Sequence, residues 1–329
     1  RYTKFRNVYT KEIRAAKKHY YLLKFQTFKG NINKTWKMIN ELLQQRKKCS
    51  NSSVFNIDGS VISDPQQIAE GFNNYFKDIG QNIVNNNVQA NAHFSSFLSQ
   101  NYPHTAYFTP ITEKEIIEYT LLFKNGKAPG FDSVDISVVK KIIHLICKPL
   151  CNIFNLCLEH GIVPTDLKLA KVIPIHKKGP KDTFSNYRPI SLLPLFSKIF
   201  EKCIYSRLLK FLDKYDILSP KQFGFRANHS PSHALLNLLT HVSNAIENNE
   251  IIVGIFLDFQ KAFDSISHDI LLAKLNHFGI RGITLALFRS YLSDRKQFTV
   301  FNLHNSCQES VCCGVPQGSI LCFFFFFIY

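Results

Sequence analysis

The residues best placed for chemistry lie where one element gives way to another. The run Ile251-Ile-Val-Gly-Ile-Phe-Leu leads directly into Asp258, and the pattern then changes to a helical one through Phe259-Gln-Lys261-Ala-Phe263-Asp264. Seven apolar residues suit a buried strand, which would set Asp258 at its carboxyl end. A carboxylate held rigidly there can grip a divalent cation. An aspartate after a strand serves a turn or a helix cap equally well. Asp258 alone therefore leaves both readings open.

Three further stretches carry chemically able residues. Ile175-His-Lys177-Lys178-Gly through Asn186-Tyr-Arg188-Pro-Ile-Ser191 is a basic turn. Gln222-Phe-Gly-Phe225-Arg226 sets two aromatics around a glycine beside a guanidinium. Gly314-Val-Pro-Gln317-Gly318-Ser319 is a glycine-bounded loop. Aromatic faces beside basic groups suit bases and phosphates.

The elements that must position these residues can be read from periodicity. Residues 8–27 and 31–46 form two basic helices, the second carrying Trp36. Residues 65–84 form an amphipathic helix with Pro65 near its start and Ile68, Phe72, Tyr75, Phe76 and Ile79 on one side. The Asn-rich stretch from 85 to about 110 is a loop and the expected domain boundary. Thr112 and Glu115 make a capping box that opens a helix through Phe123. Helices are expected over 134–160, 195–215 and 231–248, a strand over 170–175, and a hairpin from 297–303 and 309–313.

Charge points to a polyanionic partner. Of a formal net charge of +16, residues 1–48 hold 14 Lys and Arg against 2 acids (net +12), and residues 121–226 hold 18 against 8 (net +10). Such basic regions fit nucleic acid, with an anionic membrane surface as the rival. The nine cysteines form neither a disulfide framework nor a zinc spacing, which fits a reducing intracellular compartment, cytoplasmic or nuclear. No signal peptide opens the chain, and the apolar run 320–329 is too short to span a bilayer.

Taken with Lys127-Ala-Pro-Gly-Phe-Asp132, these motifs resemble, in order and spacing over residues 110–322, the reverse transcriptases of non-LTR (LINE-type) retrotransposons. An intron-encoded maturase is a weaker match to the spellings around Gln222 and Phe256. The resemblance implies an α+β fold: the fingers and part of the palm of a right-hand polymerase over 110–329, after a basic helical linker over 1–100. It implies template-directed addition of deoxynucleoside triphosphates to a DNA primer on an RNA template, with two Mg²⁺ or Mn²⁺ ions. Asp258 matches the first metal-binding aspartate, and the Phe259 carbonyl offers a second hard oxygen. Phe263 matches the residue that closes over the sugar, or is a core aromatic. Arg188 matches the arginine that holds the triphosphate, with Lys177, Lys178 and Lys261 as possible helpers. Gln317 and Gly318 match the loop beneath the nascent base pair. Gln222, Phe225 and Arg226 match a template platform, or the turn packs Phe223 and Phe225 into the core. Asp264 is expected to cap a helix, and His229 and His268 to be structural.

The sequence departs from the family after Leu321, where Cys322-Phe-Phe-Phe-Phe-Phe327-Ile-Tyr329 replaces the usual Gly-Pro and Leu-rich helix. The aromatic-Ala-Asp-Asp hairpin, the thumb and the upstream endonuclease have no counterpart in the 329 residues. The expectation is a chain without synthesis of its own, with an open apolar sheet edge. The alternative is a catalytically dead RNA- or DNA-binding remnant of a mobile element.

Overall fold

The computed structural model describes residues 2–28, 34–36, 38–39, 54–57, 60–86, 96, 98, 102–226 and 228–329. They fall into two compact units, Arg1–Ser53 and Val54–Tyr329. In the first, helix α1 (Tyr2–Thr27) buries none of its residues. It begins six residues before the expected start. The second basic helix, expected over 31–46, lies mostly outside the described residues.

The second unit opens with a small hairpin, β1 (Phe55–Ile57) and β2 (Ser60–Ile62), followed by helix α2 (Pro65–Asn86). The Asp64 carboxylate accepts the Gln67 N–H at 3.1 Å, so Asp64 caps a helix whose first residue is proline. Ile68, Phe72, Phe76 and Ile79 are buried, the face that the 3.6-residue period predicts. Their partners come from far along the chain: Val172, Phe184, Tyr187 and Phe301. The compact division falls at Ser53/Val54 rather than between 85 and 110, and the apolar face of α2 is covered largely by residues beyond that stretch, together with Phe55 and Ile62 of the hairpin.

The central sheet is mixed. Strands β3 (Leu169–His176) and β4 (Tyr187–Leu192) are antiparallel. Strand β5 (Arg295–Phe301) runs parallel to β3, and β6 (His304–Asn305) and β7 (Glu309–Val311) pair antiparallel with β5. Strand β4 occupies the end of the stretch read from sequence as a basic turn, since Pro189 interrupts the usual strand composition. The parallel step from β3 to β5 requires a long crossover, supplied by the intervening helices.

Those helices build the main core. Helix α3 (Glu113–Leu122) carries the expected capping box: Glu115 N donates to Thr112 Oγ1, and Thr112 N to Glu115 Oε2 at 2.9 Å. Helix α4 (Ile136–His160) starts at the Asp135 cap and stops at Gly161, whose φ of 66° is left-handed. By length and composition alone α4 is apolar enough to cross a membrane, a segment that the reading of the 320–329 run did not weigh. One face of α4, including Val139, Ile143, Cys147, Phe154 and Cys157, is buried, and the helix packs against α3 and α8 (Gly282–Leu292). The remaining helices are α5 (Leu195–Lys214), α6 (Pro231–Glu247), α7 (His268–His277) and α9 (Cys322–Ile328). The phenylalanine run thus folds as a helix that buries Phe324 and Phe325.

One expected element is not a strand. Residues 251–259 form no regular element and are unpaired, with Ile251 94% and Phe256 86% exposed. A strand needs a ladder partner for its amides and carbonyls, and no described residue pairs with this segment. The apolar surface expected at a sheet edge is displayed here instead.

Candidate functional site

The loop after β7 is tied down on both sides. Gly314 N donates to Ile266 O and Val315 N to Phe263 O, each at 2.8 Å. The His268 ring nitrogen Nε2 lies 2.7 Å from Gly314 O. From the opposite side, Ser191 N of β4 donates to Gln317 O at 2.8 Å. Gly318 has φ +136°, and a Cβ there would sit 2.5 Å from Ser191 O. Only glycine permits both that conformation and that approach. The close approach expected at Gly318 is therefore made to β4.

Beneath the loop lies a fully buried acid. Glu201, midway along α5, accepts the Tyr291 hydroxyl at 2.8 Å and the Ile320 amide at 2.7 Å. Burial pushes its carboxyl up, and the Tyr291 phenol likewise. The Tyr291 hydroxyl is also 3.1 Å from Ser319 Oγ. Arg295 lies over the Tyr291 ring at 4.8 Å and donates to Tyr291 O at 3.0 Å. Its Nη2 is the one buried side-chain nitrogen without a hydrogen bond among the described residues. Sequence reasoning missed this group; the available signal was a lone acid on the apolar face of an otherwise predictable helix.

Gln317 faces a cleft lined also by Pro189, Ser191, Asp264, Arg295 and Lys296. Its Nε2 donates to both Asp264 carboxylate oxygens, each at 2.8 Å. Burial pushes the Asp264 carboxyl up to about 6, against the Gln317 amide and the Lys261 ammonium, which pull it down. Asp264 therefore caps no helix, contrary to expectation. Helix α7 starts four residues later, with Ser267 before it.

Strand β4 links this loop to the basic turn. Arg188 stands three residues before Ser191 and opposite Ile175. It is exposed, as are Lys177 and Lys178 beyond the end of β3. Among the described residues none of the three makes a side-chain hydrogen bond or ion pair, so all are available to phosphate oxygens. Lys261 is not: its Nζ donates to Tyr75 of α2 at 3.1 Å and lies 5.0 Å from that ring's centre. The expected reach of Lys261 toward phosphates is thus redirected onto α2.

The aromatics are engaged as well. Phe263 packs on Phe326 and Phe323, at centroid distances of 5.1 and 5.7 Å. Phe225, at φ 56°, stacks on Phe323 at 4.0 Å. Arg226 donates to Ser219 O, and Gln222 to Gly224 O. The turn meant as a template platform thus satisfies its own polar groups and rests its ring on α9.

Asp258 is exposed with the adjacent Phe259. The two offer a carboxylate and a carbonyl, hard oxygens of the right kind for a divalent cation. They fall short in number. No group of three or more His, Cys, Asp or Glu side chains able to hold a metal occurs among the described residues.

Residues 175–329 match the family described as reverse transcriptase (RNA-dependent DNA polymerase). The chain is 34% identical over 213 residues to a probable RNA-directed DNA polymerase from transposon BS of Drosophila melanogaster, covering 64% of this chain and 23% of that protein. It is 33% identical over 226 residues to the RNA-directed DNA polymerase from mobile element jockey of the same species, covering 68% and 25%. Over 288 residues it is 24% identical to a putative 115 kDa protein in the type-1 retrotransposable element R1DM, covering 87% and 26%. The chain spans about a quarter of the length of these relatives.

Proposed function

This chain belongs to the reverse transcriptases of non-LTR retrotransposons, and from that premise we propose that Val54–Tyr329 forms the fingers and part of the palm of an RNA-directed DNA polymerase. In this reading the β3–β4 turn is the fingers tip. Arg188, with Lys177 and Lys178, holds the triphosphate of an incoming deoxynucleotide. Gln317 and Gly318 lie beneath the nascent base pair on an RNA template and DNA primer. What supports the reading is the Ser191–Gln317 hydrogen bond, which sets the strand carrying Arg188 in register with the loop carrying Gln317. Arg188 and Ser191, which lines the cleft that Gln317 faces, then share one strand.

Reverse transcriptases use divalent metal ions, which supply the charge that clamps the attacking and leaving oxygens. Asp258 and the Phe259 carbonyl would contribute to holding one. A single carboxylate cannot hold two ions in line with the reacting phosphate. The 329-residue chain, given RNA template, DNA primer, deoxynucleotides and Mg²⁺ or Mn²⁺, is therefore expected to yield no template-dependent product above an Asp258→Ala control. It is nevertheless expected to bind the primer–template, with an affinity that falls steeply with salt. Extension above that control contradicts the single-carboxylate argument, and no binding at low salt contradicts the assignment.

A second reading, RNA binding without any nucleotide site, draws on α1, where Lys4, Lys11, Arg14 and Lys18 are all exposed. It expects the polyanion to be held there and Arg188 to be irrelevant.

A further inference from the structure

The contact between Asp264 and Gln317 bears on how the loop would read what lies above it. The loop backbone is fixed by its bonds to Ser191, Phe263 and Ile266. Asp264 is equally confined: a Cβ on Gly80 of α2 would come within 2.1 Å of Asp264 O, and one on Gly314 within 2.7 Å. What remains free to turn is the Gln317 carboxamide. An ionised carboxylate accepts hydrogen bonds and cannot donate, so it must face the amide nitrogen. Because the amide is planar, the Gln317 carbonyl oxygen Oε1 then points away from Asp264.

We propose that Asp264 is a positioning residue of the nucleotide site: its carboxylate holds the nitrogen of Gln317, so the loop offers Oε1 as an acceptor to the nucleotide seated above it. The proposal rests on the function assigned above. A neutral Asp264 would carry a donor O–H, bond to Oε1 instead, and turn the NH₂ toward the nucleotide. A carboxyl pushed up to about 6 brings that reversal within a mildly acidic range. The charged and titratable groups facing Asp264 are Lys261 on its own turn, Arg295 and Lys296 of β5, Cys313 of the loop and Cys322 of α9. Helix α2 brings the backbone of Gly80 against Asp264 and the ring of Phe76 to the same cleft, neither of them titratable.

The test combines two measurements on the 329-residue chain. With ¹⁵N-glutamine labelling, the Gln317 side-chain NH₂ signal is expected to titrate with a midpoint of about 6. That titration should vanish in Asp264→Asn, whose melting temperature and other glutamine signals report an intact fold. At neutral pH, Asp264→Asn is expected to bind a labelled deoxynucleoside triphosphate, with primer–template present, about tenfold more weakly. Asp264→Glu should recover part of that loss. Arg188→Ala should weaken nucleotide binding yet leave the Gln317 titration unchanged. If Asp264→Asn keeps both the titration and the affinity, the proposal is overturned while the nucleotide site stands. If the wild-type chain binds no nucleotide, the site itself fails and the proposal with it.

Discussion

Phe72→Ala is expected to destabilise Val54–Tyr329 by about 3–5 kcal/mol, read as a lower urea midpoint in equilibrium unfolding. Phe72 is fully buried, with ring centroids at 4.5 Å from Phe184, 4.9 Å from Tyr187 and 5.1 Å from Phe55. These partners lie on the β3–β4 connection, on β4 and on β1. Removing the ring leaves a cavity that elements from three parts of the chain would have to collapse to fill. Amide exchange in α2 should quicken together with exchange in β4. Were residues 65–86 part of an independent linker, the same substitution would leave unfolding of the sheet unchanged.

Arg207→Leu is expected to cost a comparable amount, about 3–5 kcal/mol, because it strips a nearly buried ion pair of one partner. The Arg207 guanidinium donates to the carbonyls of Thr109, Pro110 and Cys203 at 2.6, 2.7 and 3.1 Å, and to Glu115 at 3.0 and 3.2 Å. The substitution leaves the carbonyls of Thr109 and Pro110, in the segment that leads into α3, without this donor, and leaves Glu115 with only Thr112. Burial alone would raise the Glu115 carboxyl, but Arg207 and the Thr112 amide outweigh it and hold that carboxyl below its ordinary range. A depressed carboxyl stabilises the fold above its unfolded pKa, and that contribution is lost as the pH falls through the folded value. Urea midpoints measured from pH 7 down to pH 3 should therefore fall less steeply for Arg207→Leu than for the wild type. Parallel curves, or a loss below 1 kcal/mol, would contradict this account of the pair.

Local structure was legible where it depended on neighbours in sequence. The capping box at Thr112 and the apolar face of α2 both follow from spacing and residue type, whereas the close approach of Gly318 to Ser191 of β4 does not. What could not be read depended on distant pairing. The 251–257 run has the composition of a strand, but strand formation requires a partner, and composition carries none. Asp264 looked like a cap because it stands just before a helix. Its actual partner, Gln317, lies 53 residues on, and nothing local to either residue announces the other. The same holds for Glu201 and Ile320, and for Lys261 and Tyr75. From sequence, Phe225 and Phe263 are each open between facing a nucleic acid and packing as core aromatics. Their rings meet the phenylalanines of α9, the stretch where the sequence departs most from its family.

Arg188 and Gln317 are proposed to belong to one nucleotide site. Equilibrium binding of a labelled deoxynucleoside triphosphate to the chain with primer–template, compared among wild type, Arg188→Ala and a Lys11→Ala control on α1, tests it most directly. Arg188→Ala is expected to weaken binding roughly tenfold or more, through the loss of a charged hydrogen-bonding group, and Lys11→Ala to leave it unchanged. Equal affinity in wild type and Arg188→Ala would contradict it.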